Sequence, residues 1–123
     1  MTNDDYMRQW NGTPWPEMIQ GLPEADIPFP GVRGWLEQSA SHQTVYFDIQ
    51  QGMEVPPHSH GAQWGIMVEG MMTLTIAGVP RQINKGDWYF IPAGAVHSAT
   101  FAVRSQVIDV FEDAGRYKVK KRE

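Results

Sequence analysis

Apolar residues recur along the chain in short runs that glycine and proline interrupt. Val32–Gln38 and Thr44–Gln50 flank the polar stretch Ser39-Ala40-Ser41-His42, which predicts a hairpin. Gln63–Glu69 reads as a third strand closed by Gly70, and Met72–Ile76 as a fourth. Ala77-Gly78-Val79-Pro80 turns that strand into Arg81-Gln82-Ile83. Asn84-Lys85-Gly86-Asp87 is a strong turn before Trp88–Ile91, and Pro92-Ala93-Gly94 turns the chain again. His97–Val103 and Gln106–Phe111 complete a set of roughly eight or nine short strands with little helix, the pattern of an antiparallel sandwich or barrel.

Residues 1 to about 30 lack any such period. Thr13-Pro14-Trp15-Pro16-Glu17 ahead of Met18-Ile19-Gln20-Gly21 predicts a single helical turn, with proline at its start and glycine past its end. Pro23, Pro28 and Pro30 forbid a longer helix. The segment reads as an arm wrapped over the main body or over a neighbouring subunit, with Trp10 and Trp15 as anchors. The expected organisation is an arm over 1–30, a barrel over 31–113 and a tail over 114–123. The arm is too rich in apolar residues and proline to be a free tail, so a homodimer is expected.

Composition narrows the function classes. A chain of 123 residues forms one domain with a core that needs no staples. The net charge is −4 with both signs interspersed, and the one basic run, Lys118-Val119-Lys120-Lys121-Arg122, reads as a solvated tail. No nucleic-acid partner is expected. The absence of cysteine excludes disulfides, thiolate ligands and a cysteine nucleophile. Met1-Thr2-Asn3-Asp4-Asp5 lacks the features of a signal peptide, and no apolar run approaches the ~20 residues of a spanning helix. A cytoplasmic protein with no membrane partner is expected. The five tryptophans either form carbohydrate platforms or fill the core and a dimer interface, with Trp64 and Trp88 in strands.

The candidate chemistry lies in the histidines. His58 and His60 are two apart, so in an extended chain both imidazoles face one side. Pro56 and Pro57 stiffen the approach to them. Gln63 opens the next strand, and His97 follows the Pro-x-Gly turn far along the chain. Taken alone, a His-x-His pair on a loop is more often surface chemistry than a ligand set. His42 reads as an ordinary exposed residue of a polar turn.

The segment from Gly52 to His60 resembles the first cupin motif, a glycine, five residues and His-x-His. It continues with two residues, Gln63, six residues and Gly70, where the usual pattern has a slightly longer loop and glutamate. Gly86 to His97 resembles the second motif, with Pro92-x-Gly94 followed after two residues by His97, and Phe101 stands in place of its terminal asparagine. Fifteen residues separate the two motifs. The resemblance implies an all-β cupin double-stranded β-helix, a jelly-roll barrel, holding one divalent ion (Zn, Mn, Fe, Ni or Co) through His58, His60, Gln63 and His97.

Imidazole and amide ligands carry no charge and would leave the ion's full 2+ uncompensated. Such a site favours Lewis-acid chemistry on an anionic substrate. A closed structural site is the competing possibility. Val107-Ile108-Asp109-Val110-Phe111 places one carboxylate among apolar residues. Asp109 either lines the barrel as a general acid/base or faces water on an edge strand. Arg116 either clamps a substrate carboxylate or lies on the surface. Asp109, Phe111 and Arg116 are similar to the Asp-x-Phe and Arg of small cupins that linearise unsaturated uronates in pectin and alginate breakdown. That resemblance implies Asp109 as proton shuttle and Arg116 beside the carboxylate of a small-molecule substrate. The other function classes are an Fe-dependent dioxygenase and a non-catalytic binding or sensor module.

Overall fold

The computed structural model describes residues 15–121, so Trp10 lies outside the described residues. Within these residues one helical turn, α1 (Glu17–Gln20), precedes nine strands: β1 (Val32–Gln38), β2 (Gln43–Ile49), β3 (Glu54–His58), β4 (Gln63–Glu69), β5 (Met71–Ile76), β6 (Val79–Asn84), β7 (Trp88–Ile91), β8 (His97–Thr100) and β9 (Ser105–Phe111). They build two antiparallel sheets, ordered β1-β2-β9-β4-β7 and β3-β8-β5-β6. This is the expected jelly-roll architecture.

Alternation sets the core. In β4, Gln63, Gly65 and Met67 face inward while Trp64 and Ile66 face out. In β7, Tyr89 and Ile91 are buried while Trp88 and Phe90 are exposed. Leu36, Val45, Phe47, Met67 and Val107 from one sheet meet Met72, Leu74 and Ile83 from the other in a single cluster. The turn from β5 to β6 carries both Ala77 and Gly78 at positive φ, the pairing a two-residue hairpin needs to follow the sheet twist.

The structure adds one strand, β3, to those read from the sequence, and shortens β8 to end at Thr100. Pro56 and Pro57 hid β3. They are tolerated because β3 is an edge strand, and its pairing with β8 is interrupted between Val55 and His58.

From Trp15 onward the arm packs on its own barrel. Trp15 is buried and meets Tyr46 edge-on at 5.5 Å. The Ala25 and Leu36 amides donate to the Gly34 and Pro23 carbonyls, so the arm runs along the free edge of β1. On its other side the Asp26 and Lys120 amides donate to Lys118 and Glu24. The basic run therefore exposes its lysines as expected, but its backbone is fastened to the arm.

Candidate metal centre

β3 and β8 lie side by side with His58 opposite His97, and His60 follows in the loop beyond β3. The three rings sit 4.2 to 5.2 Å apart between centroids. One ring nitrogen of each lies within 4.8 Å of the others. The Nδ1 atoms lie beside backbone carbonyls, those of Pro56 at 2.9 Å, Gly61 at 2.8 Å and Ala95 at 2.9 Å for His58, His60 and His97 in turn. An Nδ1–H donated to each carbonyl leaves every Nε2 lone pair free to face the cluster. His60 Nε2 is buried with no hydrogen-bond partner.

Burial disfavours the imidazolium, and the neighbouring imidazoles and Arg116 add to this, so His60 and His97 titrate below the ordinary histidine value. Three convergent imidazoles, each oriented by a backbone carbonyl, fit a divalent cation.

The loop from His60 to Gln63 is held by a residue that the sequence did not single out. The Gly61 amide donates to Asp113 Oδ2 at 2.7 Å, and a Cβ at Gly61 would lie 2.6 Å from Asp113 Oδ1. The Gly94 amide donates to the His60 carbonyl at 2.9 Å, which ties the Pro-x-Gly turn to the same loop.

Gln63 is buried and lines the same cavity, of about 300 Å³, as the three histidines. Its β4 register puts it opposite Phe111 on one side and Ile91 on the other. Asp109, 5% exposed, also lines that cavity, so it does not face water. Tyr89 Oη donates to Asp109 Oδ1 at 2.6 Å. Both residues are cross-strand neighbours of Gly65, and their side chains meet over it. A Cβ on Gly65 would lie 2.1 Å from Asp109 Oδ1 and 2.3 Å from Tyr89 Cζ.

Burial pushes the Asp109 carboxyl up to about 6, against the opposing pull of hydrogen bonds from Tyr89 and Gln63 and the charge of Arg116. Burial likewise pushes the Tyr89 phenol well above its usual range, and the Asp109 charge adds to it. Tyr89 therefore stays a donor.

Arg116 reaches the cavity from beyond β9. Its guanidinium lies 4.5 Å from the Tyr117 ring and 5.6 Å from the Phe111 ring. Phe111 is itself buried 5.6 Å from the His60 ring. Arg116 Nε is buried without a hydrogen-bond partner, and among the described residues no carboxylate pairs with this side chain. The sequence candidates are thus gathered around one cavity. Tyr89, Gly65 and Asp113 were missed, although alternation back from Ile91 marks Tyr89 as an inward polar residue.

A jelly roll with three imidazoles converging inside it defines a metal-binding cupin. The family description "Cupin domain" matches residues 45–111, and the chain belongs to that family. In structure it is similar to KdgF from Halomonas sp., at 25% identity and a TM-score of 0.65, over 71% of this chain and 83% of that one. An RmlC-like cupin from Shewanella frigidimarina shares 24% identity with a TM-score of 0.70, over 76% of this chain and 86% of that one. The oxalate decarboxylase of Bacillus subtilis shares 20% identity with a TM-score of 0.67, over 78% of this chain but 28% of the larger protein. No curated protein matches the chain in sequence. Among the described residues no helix is long and apolar enough to cross a membrane.

Proposed function

We propose that the protein is a metal-dependent enzyme that binds a small anionic substrate and moves a proton on it. The carrying observation is that three oriented imidazoles, the buried Asp109 carboxyl and the unpaired Arg116 guanidinium face one cavity. His58, His60 and His97 would hold a divalent ion (Zn, Mn, Fe, Ni or Co), with Gln63 as the fourth ligand. Gln63 lines the cavity beside the histidines and stands one inward-facing rung from Asp109 on the neighbouring strand. When bound, the ion supplies Lewis-acid stabilisation of negative charge on a substrate oxygen.

The remaining roles belong to the chain. Arg116 takes the substrate carboxylate, and stacking on Tyr117 and Phe111 fixes its plane. Asp109, poised near neutrality, accepts a proton from one substrate atom and returns it to another. Tyr89 holds Asp109 in place. Isomerisation is the reaction class this set serves. The resemblance to uronate-linearising cupins, together with the likeness to KdgF, makes an unsaturated uronate the first compound to test.

The test is to load the purified protein with each candidate metal and follow loss of the cyclic uronate by its absorbance. Turnover that falls about 10²- to 10⁴-fold in Asp109→Asn supports the assignment. No acceleration across several uronates removes the sugar-acid version. Oxygen uptake by the Fe(II)-loaded protein would replace proton transfer with dioxygenase chemistry.

The protein is also proposed to be a homodimer. Support comes from the outer face of the five-stranded sheet. There Trp64 pairs with Phe90 and Val110, and Ile66 pairs with Trp88 and Ile108. Trp88 and Phe90 are more than half exposed. These neighbouring apolar side chains form a patch of the kind that marks protein contacts.

A further inference from the structure

The register of the strands sorts the lining of the cavity by depth. Gln63 sits on the rung of Phe111 and Ile91, and His97 on that of His58 and Ile76. Asp109, Gly65 and Tyr89 form the next rung. Arg116 joins this polar end through its contact with Phe111. Further along the strands, Val107 stands opposite Phe47, and Ala99 lies between Val55 and Leu74. Ile49, paired with Val32, lies further still. All of these apolar residues line the same cavity, and none offers a side-chain donor or acceptor.

We propose that the anion taken by this site is a monocarboxylate with an alkyl or aryl body, which narrows the anionic substrate proposed above and sets aside its sugar-acid version. The inference rests on the anion-binding role proposed above for the metal end and Arg116. The charge count there requires a negative head: Arg116 and a bound divalent ion face Asp109 as the sole acidic side chain among the described residues of the lining. Beyond that head the walls set the rest of the ligand. A ring hydroxyl reaching Phe47, Val107 or Leu74 would give up its water for no partner, which lowers affinity by about tenfold or more per group. Methylene or aryl carbon in the same place gains by leaving water. Val55, Ala99 and Val32 are only partly buried, although they pack on the core, so apolar surface stands uncovered within reach of the ligand. The volume of about 300 Å³ admits on the order of ten water-sized groups, enough for a chain of medium length.

Calorimetric titration of the Zn²⁺-loaded protein with acetate, butanoate, hexanoate, octanoate and galacturonate tests this. The dissociation constant should fall about fourfold per added methylene until the cavity fills. Galacturonate should bind no tighter than acetate. In Ala99→Leu, acetate affinity should be unchanged while the gain from longer chains is cut short. A flat chain-length series, or galacturonate binding tighter than hexanoate, overturns the proposal while leaving the anion site standing. If no acid binds in a manner that depends on metal and on Arg116, the anion-binding role itself fails and takes the proposal with it.

Discussion

Gly65 is the residue on which the interior of the site turns. Its two cross-strand partners, Tyr89 and Asp109, lean over it and share a hydrogen bond, which works only because nothing projects from its Cα. Gly65→Ala should part this pair or push the strands aside and destabilise the protein by about 1–3 kcal/mol, measured by chemical denaturation. Asp109 carries a pH signature. Its carboxyl is raised to about 6, so the folded chain binds its proton more tightly than the unfolded chain does. Stability therefore falls as pH rises through the window from about 4 to about 6. In the metal-free protein, Asp109→Asn should melt a few degrees above the parent at about pH 7.5, and the two should converge near about pH 4. Equal melting curves at both pH values would refute the assignment. The three histidines were legible in the sequence because two spaced motifs fixed them. Tyr89, Gly65 and Asp113 were not, because each acquires its role only when register or a loop closure supplies a partner far along the chain.

At the scale of elements, short apolar runs bounded by turn residues were enough to place most strands. β3 escaped because its two prolines erase the usual signal. The arm was recognised for what it lacked, and the structure shows what it does: it runs beside the open edge of β1 and shields it from other chains. Trp15 is its fully buried anchor. Trp15→Ala should cost about 3–5 kcal/mol, with denaturation midpoints reporting the loss. Replacement by phenylalanine should recover most of it, because the edge-on contact with Tyr46 needs an aromatic ring.

For the molecule as a whole, the inner and outer faces of one sheet carry two different sets of residues. The inward side of β4, β7 and β9 furnishes Gln63, Tyr89 and Asp109, while the outward side presents Trp64, Trp88 and Phe90. Trp88→Glu should convert the proposed dimer to a monomer by light scattering at micromolar concentration while metal content stays unchanged. A monomeric parent protein would refute the dimer. The C-terminal segment carries a consequence for motion. Arg116 and Tyr117 lie beyond the last strand, on backbone held by scattered hydrogen bonds and the packing of Tyr117 rather than by a sheet ladder. The Tyr117 amide donates to Gln43 Oε1, Gln43 Nε2 donates to the Tyr117 carbonyl, Gln38 Nε2 donates to the Ala114 carbonyl, the Arg116 amide donates to the Asp113 carbonyl, and Lys118 and Lys120 link to the arm. Breaking these costs far less than unfolding the barrel. Amide hydrogens of Asp26, Tyr117 and Lys120 should therefore exchange with deuterated water well before those of β2 and β9. They should slow together once a carboxylate holds Arg116, so that occupancy of the interior can be read as a clock on the protein's rim.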